Sequence, residues 1–269
     1  MTGRRASGRL ARLAVAVPGI AVLFFLVAPV VAVIPMSFGT SGVFELIPSE
    51  PNWGQYRTFF SSPDWMDALR VSLQVAAGTT VVATVVGVAA ALGLSRIPAR
   101  MRVSLEAVLI LPRIVPTIVF AVAAYRIYLQ FGLVGSITGL VLAHAVLATP
   151  FVVVFVGSAL RVFDWTQVEA SRSLGAGPLS TFFRVVLPQI RLAVLGSALF
   201  AFNLSMDEVV VTLFISGIGT KTLPVKVWDS IQYEIAPVLP AVSTLVIVAT
   251  LVLLVPILFA SRRTAIAPR

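Results

Sequence analysis

Two acids in an otherwise apolar run are the first candidates for chemistry. Asp207 and Glu208 follow LAVLGSALFAFNLSM and precede VVVTLFIS. A carboxylate inside a hydrocarbon-length stretch is costly, so it normally faces a cavity or a partner. Two readings are open: a structural ion pair with Arg113 or Arg126, or a point of negative charge on a cation path. In a continuous helix Asn203 stands one turn before Asp207 and Thr212 one turn after Glu208, giving each acid a polar neighbour. Arg113 is the reciprocal case, a cation about 15 Å into its own apolar run. It either pairs with a span acid or meets an anionic group of a substrate. His144 is the only histidine, and a buried, hydrogen-bonded side chain is expected rather than a proton relay. No second histidine and no cysteine completes a metal site. One histidine and no strand–elbow–helix pattern exclude a hydrolase of the usual kind, so no catalytic residue is assigned.

The elements that hold these residues are membrane helices. Of 269 residues, 58% are hydrophobic and 12% charged, against about 25% charged in a soluble domain. The expected fold is all-α with six transmembrane spans, at about 13–34, 68–94, 103–127, 137–160, 192–215 and 237–260. The first has 22 residues, about 33 Å of helix, enough for a bilayer core of about 30 Å. The apolar region of a cleaved signal is only about 7–15 residues long, so this span is read as retained. Pro112 and Pro116 should bend the third span, tolerable only where protein or a cavity covers the break. The second span is rich in Ala and Gly, which lets membrane helices approach closely.

The charge pattern orients the spans. The net charge of +9 comes from 18 Arg and 2 Lys, placed at the ends of apolar runs rather than clustered on a soluble face. That excludes a nucleic-acid partner. Residues 1–12, the turn before the third span, the stretch 161–191 and the tail 261–269 hold 14 of these 20 basic residues. This asymmetry predicts that both termini are cytoplasmic, with 1–12 a basic N-terminal segment and 261–269 a tail. Residues 36–67, a turn at 130–136 and the loop 216–236 then lie outside. A short surface helix is expected around 55–60.

The stretch 161–191 is a cytoplasmic elbow in this layout. Thr166 followed by Glu169 fits a capping box. That helix should end at Gly175, where a left-handed residue costs little. Gly177 can cap a second helix with Pro178 in its first turn. Leu179, Phe182, Phe183 and Val186 should share a face, and Pro188 should bend the helix. Such an elbow is either a docking surface or a connector lying on the headgroups.

The residues themselves resemble a known loop. Glu169-Ala170-Ser171, three residues, Gly175, nine residues, then Val185-Val186-Leu187-Pro188 resembles the EAA loop of bacterial ABC importer permeases. Ser171 replaces the second Ala and Val185 the Ile of that pattern. LSMDEVVVTLFISG and TLPVKVWDSIQYEIAP are similar to the spermidine/putrescine-type subfamily. The resemblance implies a type I importer-like bundle in the bacterial inner membrane, completed by a second permease subunit. A cytoplasmic ABC ATPase dimer and a periplasmic or lipid-anchored substrate-binding protein would complete the assembly. Glu169, Ala170, Ser171 and Gly175 would meet the ATPase, with Leu187 and Pro188 locking the elbow to the fifth span.

The cargo implied is a polyamine, whose ammonium groups suit Asp207 and Glu208 together with aromatic faces. Trp228 and Tyr233 are candidate aromatics at the outer mouth, or loop-packing residues. Thr117 stands where polyamine permeases often carry an acid, a departure that bears on the cargo alone. Other small solutes, such as opines, aminophosphonates or amino-acid-like compounds, remain alternatives. No Walker A loop occurs: SGIGTKT at 216–222 lacks its spacing and makes a turn more simply. The chain is therefore expected to be no enzyme and to hold no cofactor, with ATP and Mg on the separate ATPase. The rivals are an integral-membrane enzyme, which lacks a visible constellation, and a stand-alone secondary transporter.

Overall fold

The structure is a computed structural model describing residues 3–40, 45–233 and 235–265. The first two residues of the basic N-terminal segment, Glu234 of the expected outer loop and the end of the tail, 266–269, lie outside the described residues.

Every regular element among the described residues is helical. In chain order these are α1 (Gly3–Met36), α2 (Gly54–Ser61), α3 (Pro63–Leu94), α4 (Ala99–Ile114), α5 (Thr117–Gln130) and α6 (Ile137–Arg161). Then come α7 (Thr166–Ser173), α8 (Pro178–Thr181), α9 (Leu187–Met206), α10 (Val210–Ile215), α11 (Leu223–Tyr233) and α12 (Leu239–Ala265). Four described stretches are long and apolar enough to cross a bilayer, and the bent pair α4–α5 makes a fifth if counted as one span. The 27 residues of α12 would reach about 40 Å at helical rise.

The chain divides into two units. One comprises Met1–Ser62 with Glu234–Val248. Here Gln55, on the expected surface helix α2, is buried and donates from Nε2 to the carbonyls of Met36 and Gly39, both at 3.2 Å. Ser37 Oγ meets Tyr56 OH at 2.7 Å. Phe38 meets Trp53 edge to face beside them, and Tyr56 packs tilted against both rings. The large apolar side chains of α1 between Val17 and Val31 point outward, Phe24 and Phe25 being 74% and 77% exposed, as suits a helix bathed in lipid.

The other unit comprises Pro63–Tyr233 with Ala249–Arg269. Its centre is α3, α6 and α9 packed against one another. One core cluster joins Val88, Ala91, Leu160, Phe163, Val168, Val186 and Ile190. A second joins Val71, Val75, Ala121, Leu140, Leu147, Val211 and Ile215. Small residues make the closest approach. A Cβ on Gly87 would stand 2.5 Å from Val152 Cβ, and one on Gly78 2.7 Å from a methyl of Val141.

Four expectations need correction. The span expected at 103–127 is two helices, α4 and α5, whose axes differ by 93°. Val115 before Pro116 sits in extended backbone, φ −65 and ψ 134, because a residue preceding proline is pushed out of the helical region. The span expected at 192–215 starts earlier and is interrupted after Met206. The bend expected at Pro188 is instead a π-helical turn, Phe182–Val186, in a helix that otherwise runs on from Pro178 to Met206. The widened turn accommodates the donor that proline lacks. The loop expected at 216–236 contains α11, anchored where Leu223 N donates to Ser72 Oγ at 2.6 Å.

Gly87→Leu should lower the thermal midpoint of the purified protein in detergent, at a cost of about 1–3 kcal/mol for overpacking. Gly93→Ala, with nothing within 4 Å of the added Cβ, should be neutral or stabilising by about 0.5–1 kcal/mol. Equal melting of the two variants would show that the α3–α6 contact is not tight.

Candidate functional site

Two places concentrate the polar chemistry: the elbow between α6 and α9, and the interruption between α9 and α10.

The elbow is built from its ends inward. Asp164 Oδ1 accepts from Thr166 N at 3.1 Å, so the aspartate caps α7. The Thr166–Glu169 capping box does not form, since the helix begins one residue earlier than that box requires: Trp165 is its N-cap, with no side-chain bond. The contacts from Thr166 hold the Asp164 carboxyl below the usual carboxylate range. Because the folded state favours the ionised acid, this contribution is present at neutral pH and fades only as pH falls through that lowered value. α7 ends as expected, with Gly175 at φ +84, and Gly177 precedes Pro178 at the start of α8.

Two side-chain bonds tie the elbow together. Ser171 Oγ meets Thr181 Oγ1 at 3.1 Å, and Gln189 Nε2 donates to Gln167 Oε1 at 2.7 Å. The Ser171 that departs from the family pattern is thus a brace. Glu169, Ala170 and Gly175 are exposed. Leu187 is half-buried and Pro188 exposed; the residues that fasten the elbow to the core are Val168, Val186 and Ile190, all below 5% exposure. Their signal was their spacing: Val186 and Ile190 lie four apart and flank Leu187-Pro188. Of the expected shared face, Leu179, Phe182, Phe183 and Val186 do line one cavity. Val186 alone of the four is fully buried.

At the interruption, α9 stops at Met206 and α10 begins at Val210. Glu208 Oε1 accepts from Val211 N at 3.0 Å, and Thr212 Oγ1 donates to Glu208 O at 3.0 Å. The expected polar neighbours therefore act through the backbone. Asn203 accepts from Asp207 N with its carbonyl, and its side-chain amide donates to Leu199 O at 3.0 Å. His144, fully buried, contacts both sides of the break: Nδ1 to Ser205 Oγ at 2.8 Å and Nε2 to Thr212 Oγ1 at 3.1 Å. Thr212 spends its proton on Glu208 O, so it accepts from His144. That places the ring proton on Nε2 and leaves Nδ1 to accept from Ser205, whose single proton goes to this 2.8 Å contact in preference to Thr79 Oγ1 at 3.4 Å. The expectation of a hydrogen-bonded structural histidine holds.

Among the described residues neither Asp207 nor Glu208 forms a salt bridge, so the ion pair with Arg113 or Arg126 is absent. Arg113 lies instead over the Phe151 ring, 5.0 Å from its centroid, within electrostatic reach of Glu208. Phe151 in turn packs on Phe200 at 4.6 Å. Trp228 and Tyr233 are 45% and 87% exposed on α11, which packs against α3, and neither is brought to the acid pair. Loop packing does not explain their exposure. No group of three metal-ligating side chains exists among the described residues.

The family pattern described as binding-protein-dependent transport system inner membrane component matches residues 83–265. The chain belongs to that family. It is an inner-membrane permease component and a transport subunit rather than an enzyme. A similar relative is the spermidine/putrescine transport system permease protein PotC of Haemophilus influenzae, 30% identical over 76% of this chain and 79% of that one. Another is the putrescine transport system permease protein PotI of Escherichia coli, 31% identical over 83% of this chain and 82% of that one. The fold matches a chain from a crystal structure of a bacterial ABC transporter that imports the acidic polysaccharide alginate. The TM-score is 0.71 at 15% identity, covering 96% of this permease and 97% of that chain.

His144→Ala should remove the two hydrogen bonds by which one ring joins Ser205 and Thr212 of the permease, at about 0.5–1.5 kcal/mol for each bond lost. A clear fall in thermal midpoint in detergent is expected, and wild-type melting would show the network is dispensable. Gly175→Val forces a β-branched residue to positive φ, about 1–2 kcal/mol of strain. Faster proteolysis or hydrogen exchange confined to the elbow is the expected readout.

Proposed function

We propose that this permease carries a polyamine or a related small organic cation inward, driven by ATP hydrolysed on a separate ABC ATPase dimer that also binds the Mg. The observation that carries the cargo is the likeness to PotC and PotI across most of the chain. In this reading the six spans place both termini and the elbow in the cytoplasm, as the distribution of arginines supports. A second permease subunit completes the bundle, and a substrate-binding protein delivers cargo from outside.

The elbow suits the transmission of force. Its exposed side offers Glu169, Ala170 and Gly175, while its buried side is fixed through Val168, Val186 and Ile190 to α3, α6 and α9. A push on the exposed side therefore moves packed helices rather than a loop. Glu208 and Asp207 supply negative charge on the cation path, with Asn203 beside them. Trp228 and Tyr233, exposed on α11, are offered as aromatic faces near the outer mouth.

A second reading is an anionic or zwitterionic cargo. It is favoured by Arg113, which has no ion pair among the described residues and lies on an aromatic ring.

The test reconstitutes this chain with candidate permease, ATPase and binding-protein partners from the same organism and follows labelled putrescine into proteoliposomes. Uptake should require ATP and the ATPase. Asp207→Asn with Glu208→Gln should reduce it about tenfold or more, the value of a lost charge-assisted contact, with ATPase co-purification unchanged. Uptake by this chain alone without ATP would overturn the ATP-driven reading. Normal putrescine kinetics in the double variant would remove the acids from the path.

A further inference from the structure

A groove of about 620 Å³ opens between the last turns of α3 and the stretch from α8 to α9. Its lining is almost wholly apolar, with Val85, Val88, Leu92, Leu179 and Phe183 among its walls. Charge is confined to one end, where Arg96 and Arg172 meet the mouth. Both wall segments run the same way, from the elbow toward the interior: Arg96 back to Thr84 on one side, Leu179 on to Val194 on the other. Each of those paths rises roughly 18–23 Å as helix. One leaflet of the hydrocarbon core is about 15 Å deep, so the groove is about as deep as a single leaflet.

The charged end carries the marks of the headgroup level. Arg96 lies over the Trp165 ring, 5.6 Å from its centroid, and tryptophan gathers at membrane interfaces. Arg172 is exposed and forms no ion pair among the described residues. Among the described residues no carboxylate lines the groove.

We infer that this groove binds one anionic phospholipid of the leaflet on the elbow's side, with its acyl chain along Val85, Val88 and Phe183 and its phosphate between Arg96 and Arg172. An apolar slot of leaflet depth takes the chain. Two guanidiniums at the headgroup level take the phosphate in the planar, forked geometry that arginine provides. A zwitterionic lipid fits the slot but carries a compensating ammonium at the charged end. The bound lipid fills the space between α3 and the elbow, so the elbow's seat depends on lipid as well as on protein.

The natural chain has no cysteine, which makes the test direct. Leu179→Cys, at a position 74% exposed, is labelled with a fluorophore in the assembled transporter. The complex is placed in phosphatidylethanolamine bilayers containing either brominated phosphatidylglycerol or brominated phosphatidylethanolamine at equal fraction. Preferential quenching by phosphatidylglycerol is expected. Arg96→Gln and Arg172→Gln should each weaken that preference about fivefold, the value of one basic side chain at an anionic surface. Arg96→Lys with Arg172→Lys should keep most of it, which separates lost charge from a damaged fold. Equal quenching by the two lipids would overturn the proposal, as would a preference that survives both glutamine substitutions. So would absence of quenching with cross-linking of the labelled position to the second permease subunit, which would make that subunit the occupant. The readout is lipid contact, so it stands or falls independently of whether putrescine is the cargo.

Discussion

A helix interrupted inside a bilayer leaves amides and carbonyls that no water can satisfy. Glu208 and Thr212 answer that constraint here, and His144 steadies them. One ring, buried on α6, holds Ser205 on the last turn of α9 and Thr212 on the first turns of α10. Glu208 covers an amide at the start of α10, and Thr212 covers the Glu208 carbonyl. The two helix ends are therefore fixed to a third helix, and the gap between them is held open rather than left to fray. The other two interruptions are met differently. At Val115–Pro116 the chain simply turns, and the Pro116 carbonyl receives Val119 N at 2.8 Å. At Phe182–Val186 the ladder widens by one residue and continues.

These solutions divide the larger unit into stiff and yielding parts. α3, α6 and α9 share two buried clusters, and the elbow is bolted into the first of them. α4 buries no residue fully. Its ion-pair tie at the elbow end is Glu106 to Arg161 of α6 at 3.6 Å, a partly exposed pair of the kind that contributes about 0–1 kcal/mol. Low burial and a weak pair make displacement of α4 about the Val115–Pro116 turn cheap, whereas displacing the elbow means moving the packed trio. A permease needs both kinds of part.

Much of this was legible in the residues. Apolar runs of bilayer length fixed the helices, because hydrocarbon admits little else. Gly175 and Gly177-Pro178 marked the elbow's turns because glycine and proline act locally. What failed was what depends on distant partners. The interruption after Met206 carries no glycine or proline, so LSMDEVVVT reads as unbroken helix. What joins its two sides is tertiary, the contacts from His144. The capping box at Thr166 failed because Asp164, two residues earlier, takes the Thr166 amide that the Glu169 carboxylate would have covered. α11 was missed because a Lys-bearing segment between spans reads as loop, while its first amide is held by Ser72, 151 residues away. Arg113 was expected to find an acid and found a ring.

The acid pair and Arg113 pull the proposed cargo in opposite directions, and the electrostatics of the break bear on that proposal. Asp207 follows the last residue of α9, where the helix presents its carbonyl ends and a partial negative charge. An acid is unfavourable at that end; a cation is favoured. Asp207 is exposed and unpaired among the described residues. Negative side chain and negative helix end therefore coincide without compensation. Glu208, by contrast, is directed at the amide end of α10, where an acid is welcome and already bonded. Arg113 relieves Glu208 at a distance while its own charge rests on the Phe151 face. The uncompensated charge at the break is thus negative and sits on Asp207. A visiting ammonium group would relieve it, and a visiting anion would add to it. Broken helix ends that meet cations with their carbonyls are a recurrent device in membrane transporters, which favours the organic cation over the anion for this chain.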